Sequence, residues 1–334
     1  MTLFQHNWRY SQRRGAALTH IAHGQIHKDV ITAIAITALI SVAALHLSLL
    51  GAFVSLFVPL PILFYRSKLG RAFGLLILVA STLIVAAVTG RHFIGTAVFL
   101  FVLGLVGLIL SEAFEMNLSV EKTVAVTTSV VLTTGAVILA LYSLLSATDL
   151  WAVVSDYLNR SIKLALAMYS EMDVSEEKIQ MLARSMEEGL HMMLRIIPAI
   201  AIVTTLFVVW SNLLLARLLL QRTRLFCPDF GRLNQWKAPD SLIWVAIVSG
   251  VFLLFDYSGL KTLGINGLIV MMMIYFFQGI AIVSFYFEKK QFPKLPRALL
   301  YGLIAMQQLV LLVVIAVGLF DMWIDFRRIR KVEC

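Results

Sequence analysis

Residues 51–71 read GAFVSLFVPLPILFYRSKLGR and lie between two longer apolar runs, so this stretch decides how the chain folds. A helix needs about 20 apolar residues to cross a bilayer, and this stretch offers about 14 before its basic end. Pro59 and Pro61 have no backbone N–H to donate. We therefore expect a short, kinked or partly re-entrant crossing. Irregular backbone at membrane depth needs cover from protein or from a water-filled cavity, so we predict that the stretch lines an internal cavity.

The composition predicts a polytopic membrane protein. Of 334 residues, 60% are hydrophobic and only 14% are charged, whereas soluble domains carry about a quarter charged residues. The net charge of +9 comes from Lys and Arg residues that fall between the apolar runs. This is the positive-inside pattern, and no nucleic-acid-binding motif accompanies it, so we exclude a nucleic-acid partner. The lipid bilayer is the expected partner, and we predict a bacterial cytoplasmic (inner) membrane location with the N-terminus in the cytoplasm.

Nine apolar runs predict an all-α transmembrane bundle. A basic segment at 1–28 precedes five membrane helices within 29–145, of which 51–65 is the short one. A sixth helix at 195–220, a basic cytoplasmic loop at 221–240, three helices within 241–324 and a basic tail at 325–334 follow. The individual longer runs are 30–50, 72–89, 93–110, 123–145, 196–220, 241–255, 262–287 and 298–320.

Residues 146–194 form the one long hydrophilic segment, with eight acidic and four basic side chains. This charge balance places the segment outside the cytoplasm. Apolar residues recur at helical spacing on either side of Asp173, which with Glu176 resembles a capping box. We predict an extracytoplasmic amphipathic helical hairpin.

The C-terminal tail conflicts with nine crossings. Starting from a cytoplasmic N-terminus, nine crossings would place the four basic residues of FRRIRK outside. Either the tail is an exception, stabilised by Asp321 and Asp325, or one of the short runs does not cross. The side of the C-terminus stays open at this point.

On the first long run, Ala33, Thr37 and Ser41 repeat every four residues. Small residues at this interval let another helix approach closely. The stripe is a candidate docking surface for another protein, or equally an internal contact within the chain.

The polar side chains inside the predicted spans are mostly neutral. Candidate ligand-binding residues are Thr127 and Thr133 on the fifth helix and Trp210 and Asn212 on the sixth. Hydroxyl groups can instead bond back to their own helix, and amides often bond across helices. Ionisable residues are nearly absent from the spans, which argues against a self-sufficient proton-driven transporter.

No pattern in the sequence predicts an enzyme. We find no nucleophile with a base, no metal-ligand set and no GxxxxGK[ST] loop for ATP. His20, His23 and His27 share one helical face and could ligate a metal. We prefer an amphipathic entry helix there, and we predict no metal, no cofactor and no catalytic residue.

Four pieces of the C-terminal third resemble the YybS-like family of uncharacterised bacterial membrane proteins. They are RIIPA, QWKAPDSLIW, INGLIVMMMIYFFQGIAIVSF and GLFDMWIDFRR. The residues that carry the resemblance are Pro198, Trp236, Pro239, Asn266, Gln278, Gly279, Asp321, Trp323, Asp325 and Arg327. The resemblance implies membership of a polytopic family whose defining domain covers nearly the whole chain.

The first half is more distantly similar to the substrate-binding S components of energy-coupling-factor transporters. The likeness rests on the first long helix, the short run with Pro59 and Pro61, and the basic turn from Arg66 to Arg71. S components usually carry an Ala-x-x-x-Ala stripe for docking, whereas this chain has Ala33, Thr37 and Ser41. The resemblance implies a small-solute-binding transport subunit energised by a separate ATPase module. The alternative is a structural or assembly scaffold that transports nothing.

Overall fold

The computed structural model of the chain describes residues 23–47, 50–89, 93–146, 149–170 and 176–327, and within these ranges every regular element is helical. Seven helical segments there are long and apolar enough to cross a membrane, and a bent pair near the C-terminus brings the number to eight if it counts as one span. The polytopic α-helical fold is thus confirmed. The count of nine crossings is not.

The chain divides into two compact units. The first contains the residues up to Val131 together with Val208–Pro228, and the second contains Leu132–Phe207 and the residues from Asp229 onwards. The helices that begin in the first unit are α1 His23–His46, α2 Gly51–Ser55, α3 Pro59–Leu69, α4 Arg71–Thr89, α5 Phe93–Glu115 and α6 Val120–Ser146. The later helices are α7 Leu150–Ser170, α8 Glu176–Arg222, α9 Leu242–Phe252, α10 Ser258–Lys289, α11 Lys294–Met306 and α12 Gln308–Ile324, with a short 3-10 turn at Leu233–Gln235.

The proline stretch forms a broken helix, as its sequence predicts. Helices α2 and α3 are joined at residues 56–58 by backbone bonds that reach back only three residues, such as Val58 to Ser55 (3.1 Å). The next bond of this series would run from residue 59 to the Leu56 carbonyl, and Pro59 has no N–H to make it. Together the two helices cover Gly51–Leu69, a 19-residue candidate span.

The hydrophilic hairpin and the sixth membrane helix are not separate elements. Helix α8 runs without interruption for 47 residues and contains Pro198. Up to about residue 194 the apolar residues lie on one face of the helix, and after it they lie on all sides. Such a change in pattern does not end a helix. The capping residue Asp173 lies outside the described residues.

The last predicted run, 298–320, forms two helices instead of one. Helices α11 and α12 meet at a bend of 99°, where Gln307 has the extended backbone angles φ −99° and ψ 108°. The expected single helix is therefore wrong. Neither Gln307 nor Gln308 marks such a break in the sequence.

Candidate functional site

A groove of about 440 Å³ lies beside the proline break in the first unit. Its walls come from α1, from the broken helix and from one turn of α8, and Tyr65 contributes the single polar side-chain group. The lining residues are Ile36, Ile40, Val54, Phe57, Leu60, Pro61, Phe64, Tyr65 and Leu219. The groove is therefore lined by apolar surface and offers few polar groups to a charged or sugar-like solute.

Asn212 completes the broken helix behind the groove. Its side chain is fully buried, and its Nδ2 donates to the Leu56 carbonyl and to the Val208 carbonyl of its own helix, both at 2.9 Å. In this series of backbone bonds, the Leu56 carbonyl would accept from the N–H of residue 59, and a proline has no N–H to donate. The amide thus satisfies a buried backbone group that the proline leaves open.

Helix α5 packs directly onto the start of α3. Gly107 is the contact point, because a Cβ there would clash with the Pro59 carbonyl oxygen. The absence of a side chain at Gly107 therefore allows the close approach of these two helices.

The four residues proposed from sequence as ligand contacts do not line this groove. Thr127, Trp210 and Asn212 are buried, whereas Thr133 is exposed. Among the described residues, the hydroxyls of Thr127 and its neighbour Thr128 and the Asn212 Oδ1 have no hydrogen-bond partner. Six of the nine lining residues belong to the stretch 51–71, which the sequence analysis expected to line a cavity, whereas Ile36, Ile40 and Leu219 were not predicted.

The small-residue stripe of α1 faces inward. Ala33, Thr37 and Ser41 are 0%, 1% and 3% exposed, and Ala33 packs in a cluster with Ile62 and Ile77. The Thr37 hydroxyl donates to the Ala33 carbonyl at 2.7 Å. This placement favours the internal contact. A protein that docked through the stripe would have to displace the residues that pack against it.

A charge cluster centred on the buried Arg66 joins the ends of α3 and α5. The fully buried Arg66 pairs with Glu112 and with Glu115, the latter at 2.9 Å, and donates to the Ser111 carbonyl at 3.0 Å. The exposed Arg71 contacts the same two carboxylates. Two cations face two anions, so the cluster is close to neutral and holds helix ends together. The sequence shows these residues 41 or more positions apart, which hides their pairing.

In the second unit, two of the residues that carry the family resemblance, Gln278 and Arg327, bond to a third, Asp321. This carboxylate is fully buried and accepts from Arg327 Nη2 (2.7 Å), Gln278 Nε2 (3.2 Å) and the Phe326 backbone N–H (3.0 Å). Gln278 Oε1 accepts in turn from the Ala238 N–H at 3.1 Å. The cluster therefore links α10, α12 and the segment before α9.

The end of α12 is held by the same segment. Arg327 Nη1 donates to the carbonyls of Asn234 (3.0 Å) and Trp236 (2.9 Å), and Lys237 pairs with Asp325 at 2.9 Å. Asp325 has a left-handed backbone, φ 44°, which turns the chain back towards these carbonyls. Residues 325–327 thus lie against the basic loop at 221–240, on whichever side of the membrane that loop occupies.

Three other resemblance residues have different roles. Gly279 packs against α12 so closely that a Cβ would clash with the Val314 carbonyl oxygen. Trp323 is 57% exposed, and Pro239 is exposed. Neither of the last two takes part in the hydrogen bonds of the Asp321 cluster described above.

Asn266 completes a second proline-containing helix. Its Oδ1 accepts from the Ala199 N–H (2.8 Å), and its Nδ2 donates to the Arg195 carbonyl (2.8 Å). In a regular helix, the Ala199 N–H would donate directly to the Arg195 carbonyl. Ala199 is the residue that follows Pro198. The amide is inserted into the helical hydrogen bond, and this explains why α8 continues through the proline.

Metal binding has no support in the described part of the chain, where no group of three or more His, Cys, Asp or Glu could hold an ion. His23 and His27 belong to α1, and His20 lies outside the described residues. The clusters around Arg66 and Asp321 hold neutralised charges, an arrangement that positions helices.

A family model described as "Predicted membrane protein (DUF2232)" matches residues 35–322. The chain belongs to this family, which agrees with the resemblance of its C-terminal third. No curated protein and no solved structure matches the chain significantly.

Proposed function

We propose that this member of a family of predicted membrane proteins is a ligand-binding membrane subunit whose ligand is an apolar small molecule. The observation that carries the proposal is the groove of about 440 Å³ beside the proline break, a volume within the usual range of about 300–1,000 Å³ for ligand sites. The chain acts by binding, without catalysis of its own.

The chemistry of the groove selects the ligand class. The α1, α2–α3 and α8 segments that form it are all candidate membrane spans, so a ligand would enter from the bilayer and bury apolar surface against Ile36, Phe57 and Phe64. Burial of apolar surface contributes about 25 cal/mol per Å². This differs from the polar-lined cavity that a water-soluble vitamin would need.

Within the proposal, movement of the ligand is driven by a separate ATPase module. The sequence contains no phosphate-binding loop, and the resemblance of the first half to S components supplies the precedent. The bacterial inner membrane and a cytoplasmic N-terminus belong to the same proposal and are supported by the basic residues between the spans.

The test is native mass spectrometry of protein purified in a mild detergent. We expect an apolar molecule to co-purify with the natural chain and to be lost from Ile36→Trp, whose larger side chain would fill the groove. Leu39→Trp is the matched control, because Leu39 lies on the same helix, is 70% exposed and does not line the groove. Equal ligand retention by the two variants, or a natural chain that carries no ligand, would contradict the proposal.

The second candidate function is a membrane scaffold. Helix α8 has 47 residues and is therefore about 70 Å long, well beyond a bilayer of about 40–45 Å. Its candidate span begins only at Met192, so its first turns extend past the membrane. Co-purification of other membrane proteins without any small molecule would favour this function.

A further inference from the structure

A polar cleft of about 400 Å³ lies at the C-terminal end of α10 in the second unit. Arg232 and Lys289 stand at this cleft together with the amide side chains of Asn234, Gln235 and Gln291. The cleft also contains the carboxylate of Glu288, which accepts a hydrogen bond from the Asn234 side chain. Two cations, one anion and three amides give the cleft an excess of positive charge and many donors.

The two cations are available to a ligand. Arg232 and Lys289 are both exposed, and neither forms an ion pair with any residue that the structure describes. Lys289 Nζ lies 5.9 Å from the ring centre of Phe285 at the edge of the cleft. Of the residues that line the cleft, only Glu288 carries a carboxylate, and it already accepts a hydrogen bond from Asn234. An anion entering the cleft would therefore meet an excess of positive charge.

Helix α11 begins three residues after Gln291 and carries an apolar face. Leu295, Leu299 and Leu303 follow one another at intervals of four residues and are 73%, 68% and 49% exposed. The helix has 13 residues, or about 20 Å, which is too short to cross a hydrocarbon core of about 30 Å. Such a helix, basic at its start and apolar along one face, is suited to the membrane interface.

The start of α11 is fixed next to the cleft. Arg297 Nη2 donates to the carbonyls of Phe287 and Phe292, each at 3.3 Å, and the Tyr301 ring packs edge-on against the Phe287 ring. The leucine face therefore starts at the end of α10 that carries Lys289 and Lys290, where anionic head groups would meet them.

We propose that the cleft and the leucine face of α11 together bind one anionic phospholipid. The phosphate lies between Arg232 and Lys289, the amides of Asn234 and Gln291 donate to its oxygens, and the acyl chains lie along Leu295, Leu299 and Leu303. The site lies in a different unit from the apolar groove and takes a different ligand, so it does not depend on the function proposed above.

The experiment titrates delipidated full-length protein with phosphatidylglycerol or phosphatidylcholine and follows the bound lipid by native mass spectrometry. We expect phosphatidylglycerol to bind more tightly than phosphatidylcholine, and its apparent Kd to rise about tenfold or more in Arg232→Gln/Lys289→Gln. Lys261→Gln is the matched control, because Lys261 lies near the opposite end of α10 and should leave binding unchanged. Leu299→Ser/Leu303→Ser should weaken both lipids.

Two further arms keep the result decisive. Raising the ionic strength to about 1 M, where the Debye length is about 3 Å, should weaken phosphatidylglycerol binding to the natural chain even if the double variant fails to fold. Inorganic phosphate and glycerol 3-phosphate should not compete at concentrations similar to those of the lipid. Equal binding of the two lipids, unchanged binding by a folded double variant, or effective competition by free phosphate would overturn the proposal.

Discussion

At the scale of single residues, polar side chains that are buried or partly buried either bond to backbone groups left without a partner or neutralise a buried charge. The buried Asn212 and the partly buried Asn266 each bond to backbone groups beside a proline. Asp321 and Arg327 neutralise each other with neither side chain exposed to solvent. Since a buried polar group without a partner costs free energy, these side chains should carry much of the stability of their units.

We predict that Asp321→Ala lowers the free energy of unfolding by about 3–5 kcal/mol, because Arg327 would remain buried and unpaired. Thermal and denaturant unfolding in detergent measure the loss. Asp321→Leu/Arg327→Met should recover most of it, since an apolar pair leaves no buried charge.

The control for that prediction is the exposed pair of Asp256 and Lys261, which are 2.8 Å apart. The hydrogen bond and charge of Lys261 hold the pKa of Asp256 below its ordinary value, but water screens this surface pair. Asp256→Ala should therefore leave the unfolding midpoint unchanged. A similar loss in Asp256→Ala and Asp321→Ala would contradict the importance given to burial.

At the scale of elements, the break between α2 and α3 depends on the partnership of Pro59 and Asn212. Asn212→Leu should destabilise the protein by about 1–3 kcal/mol, because the Leu56 carbonyl loses its donor. Pro59→Ala restores a backbone N–H near this carbonyl, so the double variant should lose less than the sum of the two single losses. Additive losses in this double-mutant cycle would show that the two residues act independently.

The close approach of α5 to α3 gives a second prediction for the elements. Gly107→Ala should cost about 1–3 kcal/mol, because the added methyl group meets the Pro59 carbonyl. Gly95→Ala is the matched control on the same helix, where a Cβ would find nothing within 4 Å. Unfolding midpoints of the two variants that fall together would contradict this packing.

At the scale of the whole molecule, contacts within the second unit bear on the side of the tail. Arg327 bonds to carbonyls of the loop that precedes α9, and Tyr286 donates to the Phe326 carbonyl at 2.7 Å. Arg297 of α11 contacts the same end of α10. Both ends of the α11–α12 pair thus lie near one end of α10, and we predict that the pair does not cross the membrane. The basic tail then needs no exception to the positive-inside pattern.

Single-cysteine labelling tests this topology in membrane vesicles. In a Cys227→Ser background, the native Cys334 and a Gln291→Cys variant should react with an impermeant maleimide from the same side. A Lys261→Cys variant, at the other end of α10, should react from the opposite side. Reaction of Cys334 from the side of Lys261 would mean that the pair crosses the membrane.

Local patterns predicted most of the helices, because apolar runs and prolines act on their immediate neighbours. The broken helix at Pro59 and the all-helical fold followed from such signals. The bend at Gln307 did not, since both glutamines are compatible with a helix and no local signal in the sequence marks the break. For the same reason the pairing of Arg66 with Glu112, and the inward direction of the Ala33 stripe, were not predictable.

The most direct test of the central claim is a cryo-electron microscopy structure of protein purified in a mild detergent, without a delipidation step. We predict continuous apolar density in the groove, against Ile36, Phe57 and Pro61, while α2 and α3 remain broken at residues 56–58. A groove closed by its own aromatic side chains and empty of density, in a map that shows ordered lipid elsewhere, would contradict it.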